Sequence, residues 1–248
     1  METNKNISTY SAEEIARFSS MAETWWDPNG KFKPLHQINP IRINFILDHI
    51  CKQYGRNPKG NKPLQELRVL DIGCGGGLLC EPMRRLGAKI TGIDAGEKNV
   101  AIASLHAKQS NLDIDYQHIL PENLAKKGFT YDVVLNMEVI EHVSNVDLYL
   151  KASASLVKPG GLMILSTINR TIKSLVLAKI GAEYILRWLP IGTHDWRKFM
   201  KPSELVLALK TQNLDTTNIT GMVYNVFSDN WSLSDDHDVN YFLSAIKK

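Results

Sequence analysis

The chain has 248 residues, 44% of them hydrophobic, which is enough apolar material for one full domain core. Its 29 Lys+Arg against 26 Asp+Glu leave a formal net charge of +3 with no basic tail, which argues against a nucleic-acid partner. The widely spaced Cys51, Cys74 and Cys80 make neither a disulfide framework nor a metal quartet, METNKNISTYSAEEI lacks the apolar core of a secretory signal, and no apolar run reaches bilayer-spanning length, so a reducing, cytoplasmic setting is expected.

The first predicted element is a helix over 11–26, with Ser11 as cap and Glu14 completing a capping box. Asp27-Pro28-Asn29-Gly30 ends it. FKPLHQINP reads as irregular and leads to a helix over 41–54 that Pro40 favours starting. Residues 57–63 are a polar loop, and from residue 67 the period changes. Strands are predicted over 67–73, 88–94, 112–117, 131–137 and 162–167, with helices over 76–86, 97–109 and 146–157. Lys158-Pro159-Gly160-Gly161 breaks the last of these helices. Residues 169–200 leave the alternation and read as an insertion holding one helix over 171–188. A helix over 202–210 and strands over 214–223 and 239–246 follow, the last of them a candidate antiparallel edge strand. Alternating elements of these lengths predict an α/β domain, a doubly wound parallel sheet covered on both faces.

The strongest local signal is VLDIGCGGG, residues 69–77, between a predicted strand and a predicted helix. Gly73 and Gly75 allow a tight turn and close approach of a ligand, and the next helix points free amides at it. The dinucleotide fingerprint would need glycine where Leu78 stands, and no Lys-Ser/Thr pair follows to make a Walker loop. Asp71 would repel a pyrophosphate and suits a ligand carrying an ammonium or sulfonium charge. Asp94 ends the second strand, where a carboxylate accepts hydrogen bonds from ribose hydroxyls.

After the fourth strand comes Met137-Glu138-Val139-Ile140-Glu141-His142. If a helical turn begins there, Glu138, Glu141 and His142 share one face, as a hard-metal site or with His142 as base for a substrate hydroxyl. Residues 171–189 mix Leu175, Val176, Leu177, Ile180, Ile185, Leu186, Trp188 and Leu189 with Lys173, Lys179 and Arg187. That is the composition of a helix on a membrane surface, of a lid over an apolar pocket, or of a helix packed on the domain. His194, just beyond, is a further candidate for substrate contact.

WWDPNGKFKPLHQINPIR (25–42), LDIGCGGGLL (70–79), YDVVLNMEVIEHV (131–143), GAEYILRWLPIGTHDWRKF (181–199) and DVNYFL (238–243) carry a more specific message. On these segments, from near residue 18 to 243, the chain resembles the ubiquinone biosynthesis O-methyltransferase family, within the class I S-adenosylmethionine-dependent methyltransferases. The resemblance implies a Rossmann-like, mostly parallel, seven-stranded sheet with an antiparallel edge strand. Residues 1–65 would be N-terminal helices of the same domain, 66–168 the cofactor-binding core, 169–200 the insertion, and 201–248 the elements completing the sheet. It implies O-methylation of 2-polyprenyl-6-hydroxyphenol and of 3-demethylubiquinol. Contacts to S-adenosylmethionine would come from Arg42, Gly73, Asp94 and Met137, beside Asp71 and Gly75 of the loop, and Mg2+ would sit on Glu138, Glu141 and His142. The expected partners are the polyprenylated phenol or quinol, an anionic membrane surface met peripherally at the inner face, and other ubiquinone-biosynthesis enzymes, with no nucleic acid. Ala95-Gly96-Glu97 fall at variable motif positions and carry no functional meaning.

Overall fold

A computed structural model describes residues 9, 12–177, 195–225 and 228–248. Its centre is built from strands that are apolar on both faces. Val69 of β1 (Arg68–Ile72) and Val133 and Leu135 of β4 (Tyr131–Met137) pack with Phe45, Ile46 and Met83. Leu70, Ile72 and Val134 point the other way, to Leu150, Leu205 and Leu209. Two hydrophobic layers therefore sandwich one sheet, as buried parallel strands require.

Among the described residues the sheet has eight strands in the order β3-β2-β1-β4-β5-β8-β6-β7. β2 (Lys89–Asp94), β3 (Asp115–His118), β1, β4 and β5 (Val157–Ile168) pair in parallel. β8 (Asn240–Lys247) lies antiparallel between β5 and β6 (Leu214–Asn225), and β7 (Asn230–Ser234) is antiparallel to β6 at the rim. The chain runs outward from β1 to β3, then returns to lay β4 on the other side of β1. Ligands of open α/β sheets bind at such a reversal, outside the carboxyl ends of the strands.

Eight helices cover the sheet: α1 (Ala12–Ser19), α2 (Lys33–Gln53), α3 (Cys80–Arg85), α4 (Glu97–Gln109), α5 (Pro121–Ala125), α6 (Val146–Ser155), the single turn α7 (Ile172–Ser174) and α8 (Pro202–Thr211), among the described residues.

Several elements depart from the sequence expectation. The sheet has eight strands, not seven: β7 is short and largely exposed, so it has no apolar alternation to reveal it. The segment 239–246 is antiparallel as expected, but it is interior, and β7 supplies the antiparallel rim. The first helix ends at Ser19 rather than at residue 26. Ser20 Oγ donates to the Arg17 carbonyl at 2.7 Å, a side-chain bond that competes with the helical ladder. α2 starts at Lys33 with Pro34 in its first turn and carries Pro40 inside it. Side-chain bonds hold the helix through that missing donor: Asn39 Nδ2 donates across to the Leu78 carbonyl at 2.9 Å, and within the helix Arg42 Nη2 donates to Asn39 Oδ1 at 2.8 Å. The third helix is shorter than 76–86 because Gly77, at φ +89°, still belongs to the loop.

Candidate active site

The glycine loop leaves β1 with Gly73 at φ +73° and Gly75 at φ +52°, left-handed conformations that a side chain strains. The Gly73 and Cys74 amides donate to the Ile93 carbonyl of β2, which ties the loop to the neighbouring strand. Asp94 closes β2. Its Oδ2 accepts from the Gly75 amide at 2.9 Å, and its Oδ1 from the Gly96 amide at 2.7 Å and Asn99 Nδ2 at 3.0 Å. Burial raises its pKa, opposed by these three hydrogen bonds.

Asp71 lies buried beneath the loop and accepts from Cys80 Sγ at 3.3 Å. Burial pushes its pKa up to about 7, with the Cys80 bond and the Arg42 charge opposing and the charges of Asp94 and Glu138 reinforcing. Near neutral pH Asp71 is thus only partly ionised. A cation brought beside it lowers that pKa, so binding must release a proton. Calorimetric titration with S-adenosylmethionine near neutral pH, in buffers of different ionisation enthalpy, is expected to show net proton release. No release, or uptake, would remove Asp71 from contact with the cation.

At the carboxyl end of β4, Met137 is buried and Glu138 has φ +54°, an uncommon conformation for a residue with a side chain. The Glu138 carboxylate accepts from Arg42 Nη1 at 2.8 Å and from Ser166 Oγ at 2.6 Å. Arg42 itself is 4% exposed, and its Nε has no hydrogen-bond partner among the described residues.

Glu138, Glu141 and His142 do not share a helical face. Only Ile140–His142 form a turn, and the left-handed Glu138 precedes it. Each is engaged separately: Glu138 with Arg42 and Ser166, Glu141 with Thr167 Oγ1 at 2.9 Å, and His142 Nδ1 with Glu14 Oε2 at 3.3 Å. Among the described residues, no group of three or more His, Cys, Asp or Glu is placed to hold a metal ion. Burial pushes the Glu141 carboxyl up. Burial acts the same way on Glu14, yet the bond to His142 and the charges of His142, Arg17 and Lys198 outweigh it and hold Glu14 low.

The structure thus gathers Arg42, Asp71, Gly73, Gly75, Asp94, Met137 and Glu138 around the carboxyl ends of β1, β2 and β4. It also adds residues that sequence reasoning passed over. Glu14 was legible only as a capping residue, and Asn39 only as part of an irregular stretch. Ser166 and Thr167 were visible as the polar end of LMILST. Most of the 171–189 segment, and His194, lie outside the described residues. At its near end Ile172, Val176 and Leu177 are exposed, while Lys173 is ion-paired with Asp236 and Asp238 rather than free for lipid. Among the described residues no helix is long and apolar enough to cross a membrane.

A glycine loop and a strand-end carboxylate at the reversal of a doubly wound sheet define a class I methyltransferase fold, and residues 42–219 match the family model described as a methyltransferase domain. The crystal structure of the magnesium protoporphyrin IX methyltransferase of Synechocystis with bound SAH is similar at TM-score 0.64 and 20% identity, covering 94% of both chains. A possible histamine N-methyltransferase of Thermotoga maritima is similar at TM-score 0.61 and 17% identity, over 95% of this chain and 99% of that one. Nearer relatives are much closer in sequence. The ubiquinone biosynthesis O-methyltransferase of Chelativorans sp. is 53% identical over 96% of this chain and 94% of its own length. That of Brucella ovis is 53% identical over 96% of both. The chain belongs to the ubiquinone biosynthesis O-methyltransferase family.

Proposed function

We propose that the chain transfers the methyl group of S-adenosylmethionine to ring hydroxyls of 2-polyprenyl-6-hydroxyphenol and of 3-demethylubiquinol. The observation that carries this reading is the charge layout around the loop: Asp71 beneath it, Asp94 beside it, and the buried guanidinium of Arg42 next to Glu138. These suit, respectively, a cation, a diol and a carboxylate on one ligand. The acceptor follows from the role that gives the relatives their name.

When bound, S-adenosylmethionine supplies an electrophilic methyl on sulfur, which leaves as a thioether when the acceptor oxygen attacks in line. The chain's own residues do the rest. Asp94 accepts hydrogen bonds from the ribose hydroxyls, and the left-handed Gly73 and Gly75 turn the loop that borders the ligand. Arg42 pairs with the methionyl carboxylate, a geometry guanidinium suits. Asp71 offsets positive charge, and Met137 packs at the strand end. A phenol has a reference pKa near ~10, so the acceptor needs help to lose its proton at neutral pH. His142 takes that proton. Glu14 fixes its ring through the contact at Nδ1. A divalent ion held by Glu138, Glu141 and His142 would be the alternative route, lowering the hydroxyl's pKa as a Lewis acid.

The same reading places the enzyme peripherally on the inner face of the cell membrane through residues 171–189, beside other enzymes of ubiquinone biosynthesis. An isoprenoid tail partitions into lipid at about 0.8 kcal/mol per CH2, so catalysis must meet it there or sheathe it. The exposed Ile172, Val176 and Leu177 support that contact. One experiment tests both parts: methyl transfer from labelled S-adenosylmethionine to the long-tailed phenol held in anionic liposomes. O-methylated product is expected, with the protein in the lipid pellet at low salt. No transfer overturns the substrate, and transfer without sedimentation overturns the membrane contact.

A further inference from the structure

Glycines in a ligand-binding loop leave room for a ligand, yet at Gly75 and Gly76 the chain itself uses that room. A Cβ at Gly75 would run into the Trp25 ring, and one at Gly76 would lie 2.5 Å from Trp25 Cβ and Cγ. Trp25 belongs to the connection between α1 and α2, far from the loop in sequence. It is 7% exposed and stacks on Phe32 with ring centroids 3.7 Å apart. Its neighbour Trp26 fastens the same connection, donating from Nε1 to the Gly76 carbonyl at 2.9 Å and stacking on His106 at 3.5 Å.

The polar end of Trp25 leads to the strand-end carboxylate. Trp25 Nε1 donates to Asn99 Oδ1 at 3.0 Å, and Asn99 Nδ2 donates to Asp94 Oδ1 at 3.0 Å. Asp94 Oδ2 in turn accepts from the amide of Gly75, the residue under the indole. The ring is closed: indole, amide, carboxylate, loop, indole. Asn99 is 3% exposed, so water does not compete for it. An indole nitrogen only donates, which fixes the amide with its oxygen toward Trp25 and its NH2 toward Asp94.

We propose that Trp25 is a positioning residue for cofactor binding, acting through Asn99 and the loop to hold the Asp94 carboxylate ready for a ribose diol. This rests on the reading of Asp94 given above. An Asp94 carboxylate held by fixed donors loses less freedom when the diol arrives, so the relay contributes affinity without touching the ligand. It also explains why an N-terminal segment outside the sheet alternation is anchored at the glycine loop as well as on α4.

The test is a double-mutant cycle read by calorimetric titration with SAH, with thermal melts run alongside. Trp25→Phe keeps the ring and removes the donor; Asn99→Ala removes the relay. Each is expected to weaken SAH binding about tenfold, and to raise KM for S-adenosylmethionine while leaving kcat nearly unchanged. In an Asp94→Ala background, neither should weaken binding further, because the group through which they act is gone. Equal losses in both backgrounds, or a lower melting temperature with unchanged affinity, would reduce Trp25 to a packing residue and overturn the proposal. Unchanged SAH affinity in Asp94→Ala alone would overturn the ribose assignment and the relay with it, a different failure from additive losses.

Discussion

Arg42→Met is expected to abolish most cofactor binding and to lower stability by about 3 kcal/mol, the cost of breaking a largely buried ion pair from one side. Arg42 is 4% exposed, and its guanidinium is divided between Glu138 and Asn39. Removing it leaves the Glu138 carboxylate with Ser166 and no cation, in a residue already held at φ +54°. Asp71 would also lose the positive neighbour that opposes its raised pKa and would favour its neutral form. Two neighbouring carboxylates are thus disturbed by one change. Arg42→Lys should recover only part of the loss, since a single ammonium cannot reproduce a fork bonded to two side chains. Thermal melts and SAH titration of both variants check this. Wild-type affinity in Arg42→Met would dismiss Arg42 from the cofactor site, and full recovery in Arg42→Lys would show that charge alone matters.

Gly75→Ala is expected to cost about 3 kcal/mol, from left-handed strain added to overpacking. The Trp25 ring cannot slide aside cheaply, being stacked on Phe32 and bonded to Asn99. Gly55 provides the control. It has φ +62°, and nothing lies within 4 Å of a Cβ there, so Gly55→Ala should cost only the strain, about 1 kcal/mol. Denaturant unfolding of the two variants separates the contributions. Equal losses would mean that the indole yields and that steric closure of the loop is unimportant. Gly75→Ala should also lose SAH binding, whereas Gly55→Ala should keep it.

What could be read from sequence was whatever local chemistry states in a short window. Asp71 and Asp94 stood at strand ends because VLDIG and KITGID are short apolar runs that stop at a carboxylate or a glycine. The parallel half of the sheet followed from the alternation of strands with helices. The misplaced features depend on partners distant in the chain. Pro40 looked like a helix start because nothing local discloses that Asn39 and Arg42 anchor the helix on either side of it. Glu138, Glu141 and His142 looked like one face because a three- and four-residue spacing assumes helical backbone, and Glu138 is left-handed. Trp25 could have been any aromatic in a turn. Its role depends on Asn99 of α4 and on Gly75 of the glycine loop.

The placement of β8 has a consequence for the order in which the protein assembles. β6 and β7 leave the ribosome before β8, yet they join the sheet only through it. Until β8 has emerged, the β6–β7 hairpin has no seat, and β5 presents an open edge of unpaired backbone groups. Such an edge is a template for pairing with another chain. The nascent protein therefore passes through a half-sheet whose vulnerable rim is β5, and the last strand to appear is a wedge that must enter between two segments already made. Any slowing of that entry, by a destabilised β8 or by rapid overexpression, should show first as aggregation through β5 rather than as loss of the glycine-loop half of the domain.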